Sequence, residues 1–292
     1  MAKKKNLNIF LFLTAFLISL PFWWGVNFLQ EKLESFLFLE STAIDPELLT
    51  AQIALEEKLE KLKPLKKRGE IADFKSEARA AISVFFDYQG SEKILFEKNI
   101  SQPLPIASLT KLMTANIFLK HYDFGEEEVV NLLLSLLIES NNKAANDLAG
   151  INGKEIFLEL MNSEAKELGM ENTYFANPSG LDPKEPGELL NYSTAKDLVK
   201  LAKYLTFERP LIWEISIIPE FENNFNTNKL LEEIPGIIGG KTGETSLAGK
   251  CLILVVRAPK NKGFIVNVIL NSENSFEEMK KLIDWTEYAF QW

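Results

Sequence analysis

The sequence predicts an α/β fold of the α+β type, in which helices flank a five-stranded antiparallel sheet. Three observations predict it. β-rich runs lie at residues 79–98 and again between about 237 and 271, and a mostly helical pattern lies between them. An uncharged apolar run, residues 6–30, precedes everything else and predicts an N-terminal transmembrane helix. With 292 residues, 46% of them hydrophobic, the chain can form one sizeable domain with additional segments.

The N-terminal run has the features of a membrane anchor. Lysines at residues 3–5 precede it and are expected to stay in the cytoplasm, while Trp23 and Trp24 suit the far interface. No small-x-small cleavage site follows the apolar core, which favours an uncleaved anchor over a signal peptide. We therefore expect a single-pass protein of the cell membrane, with the N-terminus in the cytoplasm and the rest of the chain outside it.

The remainder divides into a connecting segment and a main domain. Residues 31–70 contain an amphipathic pattern that begins at Asp45 and Pro46 and ends at "PLKKRGE", which predicts a helical stalk or linker. Residues 71–292 form the predicted main domain, with a helical subdomain at about 106–230. The domain boundaries are therefore 1–30, 31–70 and 71–292.

The β-rich runs give the sheet. "RAAISVFFDYQGSEKILFEK" reads as a hairpin around a Gln-Gly turn, and "GIIGGKTG", "KCLILVVRA" and "GFIVNVILN" supply three further strands. The run "SFEEMKKLIDWTEYAF" predicts a last helix. The simplest arrangement places all five strands in one antiparallel sheet with the helical block inserted beside it, and a cleft suitable for a ligand where the two parts meet.

Composition excludes several classes of function. The net charge of −9, without a basic stripe, argues against a nucleic-acid partner. The single histidine, His121, has no nucleophile motif nearby, so a Ser-His-Asp site is not expected. One histidine and one cysteine cannot supply a usual zinc site, and Cys251 is predicted to be a small buried residue. We expect no metal and no cofactor, and chemistry that uses serine, lysine, carboxylate or amide groups.

Three serines are followed three residues later by a lysine, so the Ser-x-x-Lys pattern alone is weak. The pairs are Ser108/Lys111, Ser163/Lys166 and Ser193/Lys196. Ser163 lies in a charged helical pattern and is expected at the surface, while Ser193 is expected to cap the helix that follows it. Ser108 differs because it follows the proline-containing segment "SQPLPIA" and opens an apolar helix, where its backbone N–H is free to face a ligand.

The spacing at Ser108 makes chemical sense. Residues i and i+3 share a helix face, so Lys111 can reach the hydroxyl and remove its proton if the amine is neutral. Burial and a second cation both lower a lysine pKa, and Lys241 in "GGKTG" is the candidate second cation. A third element, Ser140-x-Asn142, lies at a predicted helix junction.

Ser-x-x-Lys, Ser-x-Asn and Lys-Thr-Gly occur in that order, which is the set of motifs found in penicillin-binding proteins and serine β-lactamases. The chain resembles the D-alanyl-D-alanine carboxypeptidase family of penicillin-binding proteins. The segments that carry the resemblance span about residues 78–290: "PLPIASLTKLMTA", "LLLSLLIESNNKAANDLA", "LMNSEAKELGMENTYFANPSGLD" and "GGKTGETSLAGKCLILV". The resemblance implies a β-lactamase/DD-peptidase-like fold.

The resemblance also implies roles for individual residues. Ser108 would attack the carbonyl between the last two D-alanines of a peptidoglycan stem peptide, with Lys111 as general base and Ser140 as proton relay. β-lactam antibiotics would acylate the same serine. The backbone N–H groups of Ser108 and Glu244 would form the oxyanion hole. The implied substrate-binding residues are Asn142, Lys241, Thr242, Gly243 and Thr245.

The sequence departs from the family pattern in four places. The segment between Ser108 and Ser140 is shortened to "KHYDFGEEE", and Glu244 stands where an aromatic residue or histidine is common. No arginine occurs near "NSENSF", where some carboxypeptidases use one to bind the substrate carboxylate. We expect no C-terminal β-domain or C-terminal membrane helix of the family's usual kind, and we expect the N-terminal anchor to replace the latter.

Three alternative functions stay open at this point. A serine β-lactamase shares the motifs but needs a deacylating carboxylate, and Glu185 and Glu188 miss the Glu-x-x-Leu-Asn spacing relative to Asn191. A DD-endopeptidase would use the same residues on cross-links. The shortened segment and Glu244 motivate a catalytically silent, tethered peptidoglycan-binding protein.

Overall fold

A five-stranded antiparallel sheet forms the centre of residues 65–292. The computed structural model describes residues 25–26, 28–34, 65–122, 127–151, 153–185 and 187–292. The five strands of this sheet are β2 (Ala80–Asp87), β3 (Glu92–Lys98), β8 (Ile237–Thr245), β9 (Gly249–Arg257) and β10 (Gly263–Ser272), in the order β3-β2-β10-β9-β8. Short two-residue pairs supply the other strands: β1 (Lys66–Lys67) with β11 (Phe290–Gln291), β4 (Leu104–Pro105) with β5 (Tyr192–Ser193), and β6 (Glu220–Phe221) with β7 (Asn224–Phe225).

Most helices of this unit lie between β4 and β8 in the chain. They are α1 (Thr110–His121), α2 (Glu127–Leu137), α3 (Asn142–Gly150), α4 (Lys154–Glu167), α5 (Ala195–Glu208) and α6 (Pro210–Ser216). The last helix, α7 (Ser275–Ala289), follows β10. Gly169, with φ +68°, follows the end of α4, because glycine adopts the left-handed conformation without steric cost.

The sheet separates two hydrophobic layers. On β10, Val266 and Val268 join the core shared with the helical block, whereas Ile265 and Ile269 face the layer that contains α7. This alternation follows from the two-residue period of a strand, and both faces are covered, so the strand is apolar almost throughout. The predicted hairpin, the five-stranded antiparallel sheet and the helical insertion are confirmed.

One predicted helix start is wrong by a residue. Thr194 caps α5, since its hydroxyl accepts a hydrogen bond from the backbone N–H of Asp197. Ser193 instead belongs to β5 and exchanges a hydrogen bond of 2.7 Å with the Thr173 hydroxyl. Both residue types can cap a helix, and the strand pairing of Ser193 with Leu104 decides between them.

The predicted anchor and stalk lie mostly outside the described residues. Residues 1–64 form a separate unit, in which residues 25–26 and 28–34 are helical. Within the part of the chain that the structure describes, no helix has the length and apolar character needed to cross a membrane.

Candidate active site

The predicted nucleophile sits in a tight turn at the start of α1. Ala107–Leu109 form one turn of 3₁₀ helix, and Ala107 has φ +46°, a left-handed conformation that is unusual for alanine. Ala107 and Leu109 are buried, while Ser108 between them is partly exposed. The turn therefore holds the Ser108 hydroxyl at the edge of the core, next to the first turn of the helix.

Lys111 lies one helical turn further along α1 and is fully buried. Its Nζ is 2.7 Å from each of three oxygens: Ser108 Oγ, Asn142 Oδ1 and the backbone carbonyl of Ser179. A neutral amine has two hydrogens and one lone pair. It can donate to the amide and carbonyl oxygens, which only accept, while the lone pair faces the Ser108 hydroxyl.

The electrostatic environment favours that neutral form. Burial lowers the pKa of Lys111 from 10.5 to about 7, because desolvation penalises the ammonium ion. A substantial fraction of the amine is therefore unprotonated near neutral pH. The motifs predict that a second cation contributes to this shift, whereas desolvation is the cause that the structure gives.

The Ser-x-Asn element lies between α2 and α3. Asn141 caps α3, since its Oδ1 accepts from the backbone N–H groups of Lys143 and Ala144. The cap places Asn142 in the first turn, with its amide oxygen on Lys111. Ser140 has φ +61°, so its backbone is held in a conformation that non-glycine residues rarely adopt outside functional or tightly constrained turns.

Lys241 and Thr242 lie on β8. Lys241 is buried, and its Nζ donates to the Thr242 carbonyl at 3.1 Å. Desolvation first, and the positive charge of Lys111 second, hold the pKa of Lys241 well below its usual value. The Thr242 hydroxyl donates to the Thr227 hydroxyl at 2.7 Å.

The backbone of β8 presents an N–H group to the cleft. Gly240 donates its backbone N–H to Ser216 Oγ rather than to β9. N–H directions alternate along a strand, and Glu244 lies four residues after Gly240. The N–H of Glu244 therefore points away from β9 as well. A Cβ built on Gly243 would lie 2.9 Å from the backbone nitrogen of Ser108, so only glycine lets the strand approach the nucleophile turn this closely.

These elements border one open cavity of about 620 Å³. It brings together Ser108, Ser140, Thr242, Gly243 and Glu244 of the predicted set. The sequence analysis missed the other residues that line it: Thr227, Lys229, Lys250, Cys251, Asn274, Ser275 and Phe276.

The charged groups at the rim were only partly anticipated. Glu244 and Lys229 are exposed, and Lys250 donates to the backbone carbonyl of Glu273 at 2.9 Å. Glu244 and Lys250 are register partners on neighbouring strands. Neither lysine belongs to a motif, so only the folded arrangement identifies them as cleft residues.

A second missed element is the segment Asn177–Asp182. The sequence marks this segment only as part of the family resemblance and assigns no role to its residues, yet the Ser179 carbonyl accepts a hydrogen bond from Lys111. The Asn177 side chain accepts from the backbone N–H groups of Ser179 and Gly180, which is a turn that asparagine commonly forms. Asparagine followed by proline, serine and glycine is a turn signal, but it does not say what the turn contacts.

The remaining predicted residues are accounted for separately. Thr245 is not among the residues that line the cavity, and its hydroxyl donates to Asp182 Oδ1 at 2.7 Å. Ser163 is exposed on α4, as predicted for a surface residue. Cys251 is buried, and burial raises its thiol pKa to about 11, so it is not a reactive thiolate.

Comparison with known proteins decides the family. A profile of the D-alanyl-D-alanine carboxypeptidase family matches residues 116–274, more than half of the chain. The chain belongs to the D-alanyl-D-alanine carboxypeptidase family. The match begins after Ser108 and Lys111, so the assignment of this pair rests on its motif and on the geometry described above.

Individual family members are similar over most of the described domain. D-alanyl-D-alanine endopeptidase from Pseudomonas aeruginosa is 31% identical over 241 residues, covering 68% of this chain and 74% of that protein. D-alanyl-D-alanine carboxypeptidase DacF from Bacillus subtilis is 29% identical over 252 residues, covering 73% of this chain. The match spans only 62% of the length of DacF.

A solved structure shares the fold. Penicillin-binding protein D2 from Listeria monocytogenes, in its cefotaxime-bound form, superimposes with a TM-score of 0.64 and 27% sequence identity. The match covers 74% of this chain and 99% of that one. The predicted family and its penicillin-binding-protein fold are therefore confirmed.

Proposed function

We propose that this protein is a serine-type D-Ala-D-Ala carboxypeptidase that trims peptidoglycan stem peptides through an acyl-enzyme on Ser108. The single observation that carries the proposal is the position of Lys111, buried and 2.7 Å from the Ser108 hydroxyl. A serine hydroxyl needs a base in order to attack a carbonyl, and a desolvated lysine is such a base. Family membership gives the class of substrate.

In the proposed first step, Ser108 Oγ attacks the carbonyl carbon between the two D-alanines. Its proton moves to Lys111 Nζ, and the carbonyl electrons move to the oxygen. The backbone N–H groups of Ser108 and Glu244 stabilise that oxyanion. Removing one such donor typically costs on the order of 10²- to 10³-fold in rate.

Collapse of the intermediate breaks the C–N bond. The leaving amine takes the proton from Lys111, with Ser140 as relay, and D-alanine departs. Water then attacks the ester carbonyl, with the same lysine as base, and releases the shortened peptide and free Ser108. Asn142 holds Lys111 through its amide oxygen. Lys241, Thr242 and Gly243 form the strand wall along which the peptide end binds.

Endopeptidase action on cross-links is the second candidate, since the Pseudomonas aeruginosa relative carries that name. The two reactions share every step at Ser108 and differ in the group on the leaving side of the scissile bond. A serine β-lactamase is less well supported, because neither Glu185 nor Glu188 lines the described cavity. A β-lactam is accordingly expected to inhibit the protein as a slowly released acyl group.

The membrane location is also part of the proposal. The uncharged run at residues 6–30 and the lysines before it support a single-pass anchor that holds the domain outside the cytoplasm, near its cell-wall substrate. Protease treatment of intact spheroplasts carrying the full chain would test it. Cleavage of residues 71–292 is expected, and full protection would contradict the proposed orientation.

The primary experiment follows covalent labelling of the full chain by a fluorescent penicillin. We expect a label that persists for hours on the wild type and is lost in Ser108→Ala. Ser163→Ala is the matched control, since it is the same change in an exposed Ser-x-x-Lys, and it should label normally. A label that survives Ser108→Ala would overturn the assignment of the nucleophile.

Assays with different substrates then distinguish the candidate functions. Release of D-alanine from a pentapeptide supports the carboxypeptidase, cleavage of a cross-linked dimer supports the endopeptidase, and rapid loss of label with drug hydrolysis supports a β-lactamase. Folded protein that takes no label would favour the catalytically silent binding protein.

A further inference from the structure

The loop Asn177–Asp182 contacts the nucleophile turn, the base and the strand wall within six residues. Gly180 packs against the Ala107 carbonyl, Ser179 accepts from Lys111, and Asp182 binds the end of β8. We propose that Asp182 is a positioning residue, which fixes the end of β8 against the nucleophile turn and so sets the Glu244 donor of the oxyanion hole. This inference rests on the proposed function.

Both oxygens of Asp182 are engaged at the turn that joins β8 to β9. Oδ1 accepts from the Thr245 hydroxyl at 2.7 Å, and Oδ2 accepts from the backbone N–H of Leu247 at 3.0 Å. The Thr245 hydroxyl in turn accepts from the backbone N–H of Ala248 at 3.1 Å. The carboxylate therefore accepts two hydrogen bonds from the turn and orients the hydroxyl that accepts a third. Hydrogen bonds to a charged acceptor are stronger than neutral ones.

The strand needs such support because of its place in the sheet. Among the strands that the structure describes, β8 lies at the edge of the main sheet and pairs there with β9 alone. Thr245 is its last residue and directly follows Glu244, whose N–H points into the cleft. A displacement of the strand end therefore moves the donor, whereas the Ser108 donor stays with α1.

The loop that carries Asp182 is itself held in place by hydrogen bonds. The Asn177 amide oxygen holds Ser179 and Gly180, and the Asn191 side chain joins the Asn177 carbonyl to the Thr110 hydroxyl on α1. The loop is thus tied to the same helix that carries Lys111. Asp182 transmits this fixed position to β8, which it contacts across 63 residues of chain.

The rate constant of acylation at saturation, k2, should respond more than binding does. Asp182→Ala is expected to lower k2 for a β-lactam by roughly 10- to 100-fold, less than complete loss of one oxyanion donor, with little change in the preceding binding constant. Thr245→Val should lower k2 by a smaller factor. The double variant should resemble Asp182→Ala, because both changes break the same contact. Asp182→Asn keeps one acceptor and should recover part of the rate.

Asp197 provides a matched control. Its carboxylate also accepts from a backbone N–H, that of Asn172, and from a threonine hydroxyl, that of Thr173, but it does not line the cavity. Asp197→Ala should lower the thermal midpoint at least as much as Asp182→Ala and leave k2 unchanged. A k2 that falls equally in both variants would show a general loss of stability and would overturn the positioning role.

Hydrogen exchange supplies a readout that needs no catalysis. The backbone amides of Leu247 and Ala248, which donate to Asp182 and Thr245, should exchange at least tenfold faster in Asp182→Ala and not in Asp197→Ala, in the full chain. Unchanged exchange, or unchanged k2 with faster exchange, would refute the proposed positioning. If the wild type does not acylate while exchange responds as expected, the proposed function fails and Asp182 has only a structural role.

Discussion

The two walls of the cleft satisfy their polar groups in different ways. On the nucleophile wall, Lys111 is fully buried and its amine contacts three protein oxygens. On the strand wall, Glu244 and Lys229 are exposed, and the Thr242 hydroxyl bonds to the side chain of Thr227. The wall that carries the proposed chemistry is thus fixed by the core. On the other wall Lys241 and Gly243 are also fixed, whereas an exposed rim position such as Glu244 can change without loss of the fold.

The largest effect should come from the proposed general base, Lys111, on the nucleophile wall. Lys111→Met keeps an unbranched side chain in the pocket but removes the proton acceptor, so acylation should fall by about 10³-fold or more. The rate of labelling by a fluorescent penicillin measures this loss of acylation. Lys166→Met is the control, because it is the same change in an exposed Ser-x-x-Lys and should retain the wild-type rate. A loss below tenfold would mean that another group takes the proton.

Gly180 packs against the nucleophile turn, so its substitution is the next test of the nucleophile wall. Its φ is +82°, and a Cβ there would lie 1.9 Å from the Ala107 carbonyl oxygen, so Gly180→Ala must displace the nucleophile turn. We expect acylation to fall by at least tenfold. Gly187→Ala isolates the conformational cost, since its φ is +93° with no atom within 4 Å of the added Cβ. Equal rates in the two variants would show that the turn tolerates the displacement.

Sequence patterns predicted most of the sheet and the three motifs because both depend on local features. Runs rich in β-branched and aromatic residues identify β2 and β10, and Ser-x-x-Lys places two groups on one helical turn. Contacts between distant residues left no such signal. Ser179 reaches Lys111 across 68 residues through a backbone carbonyl, which every residue type carries. Its role therefore could not be read from its identity.

The cause of a pKa shift was equally hard to predict. The motifs predict that Lys241 depresses the Lys111 pKa, and the two lysines are close enough for the charge of Lys111 to act on Lys241. Burial is the cause at Lys111, and the charge of Lys111 acts on Lys241 after desolvation. The depth of a side chain depends on how distant segments pack, so a short motif does not specify it.

The low pKa of Lys111 predicts a pH dependence. With a pKa of about 7, the neutral fraction of the amine rises roughly tenfold between pH 6 and pH 8. The acylation rate should rise by the same factor and then level off. The unfolded chain binds this proton up to about pH 10.5, so the folded state should also gain stability as pH rises from 7 toward 10.5.

Stopped-flow acylation and thermal midpoints from pH 6 to pH 10 measure the two effects. Lys111→Met should lack this contribution to the stability profile. A rate that is flat across pH 7 would show that the base titrates elsewhere.

The smallest effects should come from the exposed charged residues at the rim of the strand wall. Glu244→Gln removes a negative charge beside a cleft expected to take an anionic substrate, so the second-order acylation rate of a carboxylate-bearing β-lactam should rise roughly two- to fivefold. Lys250→Met removes a cation from the same rim and should lower that rate by a similar factor. Salt screens exposed charges, so both differences should shrink at about 0.5 M NaCl.

Two controls separate this electrostatic effect from a change in the site. Glu171→Gln is the same substitution at an exposed position outside the cavity and should leave the rate unaltered. An uncharged thiolester acyl donor should react equally with the wild type, Glu244→Gln and Lys250→Met. If the rate with the neutral donor changes along with the rate with the anionic one, the two rim residues act on the geometry of β8. The strand wall would then be less independent of the nucleophile wall than the contacts indicate.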